Sequence, residues 1–295
     1  MGRGALSRRA PPDHGRIRSA GRRIAGGVGV NARQDGAGEF AGRVAVVVGA
    51  AQGIGAATAA RLAGEGARLA LIDRDGARLQ ATALALRGQG AQVSAQACDV
   101  ADIGAVEAAV ARIEDELGPI AHLAHVAGIL RVGAAVELDP DDWDACMAVN
   151  ARGVFATTRA VAARMRERRA GSIVAVGSNA AAAPRTGMSA YAASKAAATQ
   201  YLRCLALELA PCGVRCNIVS PGSTDTAMQR AFAADEAARE RILRGDGERF
   251  RIGIPLGRIA EPDDVAEAIC FLLSDRARHI TLHDLRVDGG ATLDA

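Results

Sequence analysis

Ser178, Tyr191 and Lys195 are the residues whose types and spacing are best suited to a chemical reaction. Tyr191 and Lys195 are four positions apart in an Ala-rich segment that predicts a helix, so their side chains share one face. A phenol with a pKa of about 10 is a poor base near neutral pH, but an ammonium one turn away lowers that pKa. Ser178 follows a predicted strand and can hydrogen-bond a reacting oxygen. The three side chains therefore favour proton transfer to or from an alcohol.

Lys195 is the only lysine among the 36 lysine and arginine residues of the chain. This composition indicates that arginine has replaced lysine at every position that needs only a positive charge. A compact ammonium differs from a planar guanidinium in size and hydrogen bonding, so we expect this position to require one. The alternatives are a surface Tyr–Lys pair, a serine at a strand end and a lysine kept by chance. Because Ser178, Tyr191 and Lys195 occur together, each of these three alternative explanations is disfavoured.

The segment GAAQGIG lies between the first predicted strand and the first predicted helix. Its glycines have the spacing G-x-x-x-G-x-G, which suits a tight turn and a close approach of the backbone to a pyrophosphate. The N–H groups and the positive dipole end of the following helix attract such an anion. The residues predicted to bind it are Gly49, Gln52, Gly53, Ile54 and Gly55. The order of strand, loop and helix favours a dinucleotide site over a structural turn.

The second predicted strand ends at Asp73. A carboxylate at this place can accept hydrogen bonds from the hydroxyls of an adenosine ribose and repels a 2′-phosphate. Asp73 therefore favours NAD over NADP, although the neighbouring Arg74 can accommodate a 2′-phosphate. The alternative for Asp73 is a turn-forming role before Asp75 and Gly76. Asp99 and Val100, at the end of the third predicted strand, are expected near the adenine.

Short apolar segments alternate with helical patterns from Gly42 to the C-terminus, with no Pro- or Gly-rich linker between them. The predicted strands cover residues 43–49, 68–73, 92–97, 120–128, 172–178 and 214–222. Single long helices are expected near 141–167 and over 189–210. This alternation predicts an α/β fold with a doubly wound parallel sheet of the Rossmann type, in a single domain over residues 42–295.

Residues 1–41 are rich in Gly and Arg and lack hydrophobic periodicity, so we predict a disordered leader. No apolar segment follows its Arg pairs, which disfavours a twin-arginine signal. The preferred explanation of the leader is a start codon assigned too far upstream.

The leader holds eight arginines and three acidic residues, and the remainder of the chain has a slight acidic excess, which disfavours nucleic-acid binding. No segment approaches the length of a membrane span. The six scattered cysteines predict free thiols in the cytoplasm and no metal site.

Residues 42–295 resemble the short-chain dehydrogenase/reductase family. That family has a T-G-x-x-x-G-x-G loop, an N-A-G element after the fourth strand, an Asn on the next helix, a Ser, a Tyr-x-x-x-Lys pair and a Pro-Gly. The resemblance implies that Tyr191 is the general acid/base, that Ser178 orients the substrate and that Lys195 binds the nicotinamide ribose. Asn150 would support a water in a proton relay. The implied cofactor is NAD, bound at its nicotinamide end by Asn150, Tyr191, Lys195, Pro221, Gly222 and Thr226.

The chain departs from the family pattern at two positions. Val48 replaces a threonine whose hydroxyl braces the glycine-rich loop. His125 stands where the family has an asparagine, and we interpret it as a structural residue that makes a polar tie between strands. We expect the two departures, Val48 and His125, to affect the affinity for the cofactor and not the reaction that Ser178, Tyr191 and Lys195 carry out.

Segments 184–197, 213–230, 252–262 and 279–293 narrow the resemblance to family members that oxidise a cyclohexadiene diol acid to an aromatic catechol acid with NAD, for siderophore biosynthesis. The carboxylate of such a substrate needs a cation. Arg185 is the first candidate, with a solvated loop arginine as its alternative role, and Arg131 is the second. The resemblance further implies that the ring site includes Leu130, Gly187, Met228 and Gln229.

Two other functions remain open. One is a different family activity, namely a neutral cis-dihydrodiol dehydrogenase or a 3-oxoacyl-carrier-protein reductase, the latter disfavoured by Asp73. The other is a non-catalytic NAD-sensing protein, which would not need to keep Ser178, Tyr191 and Lys195 together.

The resemblance also implies that the protein is a homotetramer. Residues 226–250 are charged and predict a lid over the substrate.

Overall fold

The computed structural model describes residues 38–233 and 235–293, and seven strands in this part of the chain form one sheet. The strands are β1 (Val44–Val48), β2 (Arg68–Asp73), β3 (Val93–Ala97), β4 (Ile120–His125), β5 (Gly171–Val176), β6 (Val214–Pro221) and β7 (Asp284–Val287). Their spatial order is β3-β2-β1-β4-β5-β6-β7, and every pairing is parallel. The order reverses between β1 and β4, which opens a crevice at the carboxyl ends of these strands.

Helices cover both faces of the sheet. They are α1 (Gly53–Gly64), α2 (Gly76–Gly88), α3 (Ile103–Leu117), α4 (Pro140–Cys146), α5 (Gly153–Arg168), α6 (Ser189–Leu209), α7 (Ala227–Phe232), α8 (Glu236–Arg244) and α9 (Pro262–Leu273). A π-helical turn, Met147–Arg152, joins α4 to α5. The predicted doubly wound α/β fold is therefore confirmed. The single helix expected near 141–167 is instead divided by the π turn.

The core consists of two apolar layers, one on each face of the sheet. Val44, Val46 and Val48 of β1 belong to the layer under α3, α5 and α6, whereas Ala45 and Val47 belong to the layer under α1 and α9. All five side chains are fully buried. Successive side chains of a strand point to opposite faces, so a continuous apolar run fills both layers. This burial fixes where the strand ends lie, and the site residues follow those ends.

Short polar residues begin several of the helices. The Asp75 carboxylate accepts a hydrogen bond from the Arg78 N–H at the start of α2, and Asp102 accepts one from Ala105 N–H at the start of α3. Each such cap stabilises a helix by about 1 kcal/mol. No helix among the described residues is long and apolar enough to cross a membrane.

The folded part of the chain begins before Gly42, so the predicted boundary is corrected for residues 38–41. Phe40 is 1% exposed and packs edge-on against His122 of β4, with 5.1 Å between the ring centroids. Its N–H donates to the Glu65 carbonyl at 3.0 Å. Glu39 forms an ion pair with Arg276. A single aromatic residue in a Gly-rich stretch gives no periodic signal; the rest of the predicted leader lies outside the described residues.

Candidate active site

A cleft opens at the carboxyl ends of the central strands, and most predicted site residues line it. On the dinucleotide side these are Gly49, Gln52, Gly53, Ile54, Gly55, Asp73, Asp99, Val100, Pro221, Gly222 and Thr226. On the reaction side they are Leu130, Ser178, Arg185, Tyr191, Lys195, Met228 and Gln229. Among the predicted residues, all of which the structure describes, Asn150 and Gly187 do not line the cleft.

The glycine-rich loop is shaped by close backbone approaches that no side chain would allow. A Cβ on Gly55 would lie 2.0 Å from the Gly49 carbonyl oxygen, and one on Gly49, whose φ is +82°, would lie 2.6 Å from the Ala127 nitrogen. The side chain of Gln52, which precedes α1, makes no capping hydrogen bond. The N–H groups of the first turn of α1 are therefore free to bind an anion. The residues present fit a dinucleotide pyrophosphate.

Asp73 is held at the edge of this loop by two backbone donors. Its carboxylate accepts hydrogen bonds from the N–H groups of Ala51 and Asp75, each at 3.0 Å. These contacts leave further lone pairs on both oxygens for a ribose hydroxyl. Arg74 also lines the cleft beside Asp73. The structure thus places Asp73, which repels a 2′-phosphate, and Arg74, which can accommodate one, at the same edge of the cleft.

The three reactive residues meet where β5 ends and α6 begins. The phenol of Tyr191 and the hydroxyl of Ser178 line the same cleft, and Ser178 is one of the groups that influence the pKa of Tyr191. The Ser178 oxygen accepts a hydrogen bond from Ala180 N–H at 3.1 Å, which fixes its position. Lys195 lies one turn after Tyr191, is 3% exposed and donates from Nζ to the Val176 carbonyl at 2.8 Å. The arrangement can hold an alcohol oxygen between Ser178 and Tyr191.

Burial dominates the protonation of both titratable groups. It raises the pKa of Tyr191, and Ser178 acts in the opposite direction. It lowers the pKa of Lys195 from 10.5 to about 8. The net shift of the Tyr191 pKa is therefore upward in the protein by itself, and the effect expected from Lys195 stays a prediction for the complex with the cofactor. The shift is upward because removing a phenolate from water costs more free energy than the nearby polar groups return.

Asn150 lies behind the wall of the cleft. Its Oδ1 accepts a hydrogen bond from Ile129 N–H at 2.8 Å, and its Nδ2 donates to the Ile129 carbonyl at 2.9 Å and to the Ser194 hydroxyl at 3.0 Å. The side chain thus ties the loop after β4 to α6, next to Lys195. It sits in the π-helical turn, a feature frequent at functional sites. Its place in a proton relay stays a prediction.

Two candidates for the substrate side do not line the cleft, and their roles stay predictions. Gly187 has a φ of +73° and uses its carbonyl to accept a hydrogen bond from Gly133 N–H, and the next residue, Met188, lines the cleft in its place. Arg131, the second candidate for a carboxylate ligand, forms an ion pair with Asp142 at 2.8 Å and does not line the cleft. Arg185 does line it and donates to the Ala291 carbonyl and the Thr292 hydroxyl, each at 3.2 Å.

His125 makes no polar tie between strands among the described residues, although its burial agrees with the interpretation as a structural residue. It is 0% exposed, and neither ring nitrogen has a hydrogen-bond partner among the described residues. Burial, and then the nearby charge of Lys195, lowers the pKa of His125 from 6.5 to about 3. The imidazole is thus held neutral beneath the reactive residues.

We expect His125→Asn to flatten the pH dependence of stability on the acid side. In the unfolded chain a histidine takes up a proton below pH 6.5, whereas His125 in the folded protein stays neutral down to about pH 3. The unfolded state therefore binds one more proton in this window, and the free energy of unfolding falls by about 1.4 kcal/mol for each pH unit of acidification. Urea unfolding of both proteins between pH 4 and pH 7 measures the difference. Parallel pH profiles would show that His125 is protonated in the folded state.

Comparisons with known proteins agree with this geometry. Residues 49–292 match a family model described as enoyl-(acyl carrier protein) reductase. A 2,3-dihydro-2,3-dihydroxybenzoate dehydrogenase of Bacillus subtilis is 50% identical over 85% of this chain and 97% of its own. A vibriobactin-specific 2,3-dihydro-2,3-dihydroxybenzoate dehydrogenase of Vibrio cholerae is 44% identical over 84% of this chain and 95% of its own.

A solved structure is also similar. It is a short chain dehydrogenase from Burkholderia cenocepacia in complex with NADP, which is 37% identical, covers 86% of this chain and 99% of its own, and gives a TM-score of 0.77. Its bound dinucleotide is consistent with a nicotinamide cofactor at the glycine-rich loop. With the reactive residues, the parallel sheet and these likenesses in agreement, the chain belongs to the short-chain dehydrogenase/reductase family.

Proposed function

We propose that this chain oxidises 2,3-dihydro-2,3-dihydroxybenzoate to 2,3-dihydroxybenzoate with NAD, as a step in the biosynthesis of a catecholate siderophore. Relatives at 50% and 44% identity carry the name of this activity. The observation that carries the proposal is the position of Arg185, a half-buried cation in the same cleft as Ser178 and Tyr191. A diol acid can place its hydroxyl on the pair and its carboxylate toward the arginine.

Ser178, Tyr191 and Lys195 each have a separate role in the proposed oxidation. Ser178 and Tyr191 hold the alcohol oxygen, and the Tyr191 phenolate accepts the hydroxyl proton. Lys195 binds the ribose hydroxyls from its fixed position under the cleft and supplies positive charge beside the phenolate. A bound oxidised nicotinamide supplies the hydride acceptor and additional positive charge. The enone that results tautomerises to the catechol, and the gain of aromaticity drives the reaction in one direction.

We propose NAD rather than NADP because Asp73 presents a carboxylate where the adenosine ribose is expected. The two backbone hydrogen bonds to Asp73 keep that carboxylate in place, so it cannot turn away from a 2′-phosphate. Arg74 beside it acts in the opposite direction. Both residues lie on one edge of the cleft, and the carboxylate is the better fixed of the two.

The assembly and location proposed from the resemblance are a homotetramer in the cytoplasm. Exposed apolar side chains on α4, α5 and α6, namely Trp143, Phe155 and Leu207, offer surface for a second copy. The six cysteines are free thiols, which suits a reducing compartment. The proposed partner is the small diol acid, with no nucleic acid and no membrane.

The function is tested by mixing the protein with the diol acid and NAD and following reduced nicotinamide by absorbance and the catechol acid by chromatography. We expect both products in equal amounts, and a higher kcat/KM with NAD than with NADP. Oxidation of a neutral cis-diol but not of the acid, or reduction of an oxoacyl thioester with NADPH, would overturn the proposal in favour of another family activity. Cofactor binding with no turnover of any of these would identify an NAD-sensing protein.

A further inference from the structure

Arg251 lines the cleft together with Arg74 and Arg185, and it comes from a segment distant in sequence from Arg185. It follows α8, and its backbone is fixed by two hydrogen bonds, since Asp246 and Arg251 exchange N–H donors and carbonyl acceptors at 2.9 Å. The chain then turns back tightly, because a Cβ on Gly253 would lie 2.6 Å from the backbone nitrogen of Gly245. Arg251 thus lines the cleft from an anchored turn.

The charge of Arg185 acts on Arg251. Burial lowers the pKa of Arg251, and the charge of Arg185 is the next largest cause. Burial also lowers the pKa of Arg185. Both side chains are partly buried. Two partly buried guanidinium groups therefore line the same cleft, and their charges cost free energy there unless an anion binds to them.

The nearby carboxylates favour the charged forms of these two arginines but form no ion pair with them among the described residues. Asp246, which faces Arg251, is ion-paired with Arg249 at 3.6 Å. Asp288, which lies near Arg185, accepts hydrogen bonds from Asn179 and from Gly290 N–H. Neither Arg185 nor Arg251 forms an ion pair within residues 38–233 and 235–293. Besides Arg74 and Lys195, the cleft thus contains two arginines that have no carboxylate as an ion-pair partner among the described residues.

We propose that Arg251 and Arg185 together bind the substrate carboxylate, with Arg251 as a specificity-determining residue that discriminates carboxylated from neutral diols. This inference rests on the proposed function. Arg185 lies between Ser178 and Tyr191 in the chain, so a carboxylate on it keeps the ring hydroxyls beside those residues. Arg251 approaches from the segment that also supplies Ile252, Gly253 and Ile254 to the cleft. A neutral diol leaves both charges uncompensated, which disfavours its binding.

The test compares Arg251→Met with Arg249→Met, which removes an arginine from the same turn that does not line the cleft. For the diol acid we expect Arg251→Met to raise KM by about 10-fold to 100-fold, the range of a charge-assisted contact, with kcat changed much less. For the matching diol without a carboxylate we expect no loss of kcat/KM. Arg249→Met should resemble the wild type with both substrates. Equal losses on both substrates with Arg251→Met would overturn the assignment.

A second measurement keeps this inference separate from the proposed function. Calorimetry compares the binding of 2,3-dihydroxybenzoate and of catechol to the wild type and to Arg251→Met in the presence of NAD. We expect the wild type to prefer the carboxylated ligand and the variant to lose that preference. If the diol acid is not oxidised but the preference depends on Arg251, the function fails and the carboxylate site stands. If the diol acid is oxidised and the preference survives in the variant, the carboxylate site fails and the function stands.

Discussion

Replacing Tyr191 with phenylalanine lowers kcat for the diol acid by about 10³-fold and leaves the affinity for NAD within a factor of about two. A positioned acid or base contributes about 10²–10⁴-fold, and this substitution removes the phenol oxygen from the cleft that Ser178 also lines. The ring that lines the cleft is retained, so the cofactor keeps its contacts. Steady-state kinetics and a separate NAD titration by calorimetry measure the two effects.

The chain provides its own control, because it contains two tyrosines. Tyr201 lies on the same helix, where its hydroxyl is hydrogen-bonded to Thr158 at 3.2 Å, and it does not line the cleft. Tyr201→Phe therefore removes a phenol oxygen from α6 without touching the reaction, and its kcat should stay close to that of the wild type. Tyr191 would lose its role as the acid/base if Tyr191→Phe retained more than about a tenth of the wild-type rate.

Replacing Lys195 with methionine weakens NAD binding by about 10-fold to 100-fold and also lowers kcat, which distinguishes it from Tyr191→Phe. A charge-assisted hydrogen bond contributes about 1.5–3 kcal/mol, and this residue is proposed both to bind the ribose and to support the phenolate. Methionine has a similar shape and removes a buried charge, so the folded state should not be destabilised. Calorimetry, initial rates and thermal unfolding together measure these outcomes.

The pH dependence of NAD binding gives a further readout for Lys195. Burial lowers its pKa to about 8, so the ammonium is present below that pH and is lost above it. The wild type should therefore bind NAD more weakly as the pH rises through 8, whereas Lys195→Met should show no such decline. A variant with wild-type affinity and the same pH profile would contradict the assigned role. Lys195→Arg tests the requirement for a compact cation, because the site is only 3% exposed.

The sheet and the reactive residues were predictable because they depend on local patterns. A buried parallel strand is a short apolar run between polar residues, and the residues at its carboxyl end share one edge of the sheet. β7 (Asp284–Val287) escaped prediction because it is four residues long and only partly buried. The π turn around Asn150 escaped too, since one widened turn leaves the helical periodicity on either side intact.

The remaining features depend on contacts between distant segments. Arg251 is one of many arginines in the sequence, and only the folding of the segment after α8 brings it to Arg185. The pKa of Tyr191 depends on how far the phenol is removed from water, which its distance from Lys195 in sequence does not reveal. The absence of hydrogen-bond partners for His125 within the described residues is likewise a property of the packed interior.

The burial of Phe40 determines where the gene can be trimmed for expression. A recombinant chain begun at Gly42 would leave an aromatic-sized hole beside His122, at one end of the sheet. Removing a buried phenylalanine costs about 3–5 kcal/mol, which is a large part of the 5–15 kcal/mol that keeps an ordinary domain folded. We expect such a protein to aggregate, although it contains all of the proposed catalytic residues. A recombinant chain that begins upstream of Gly38 retains the Phe40 ring beside His122.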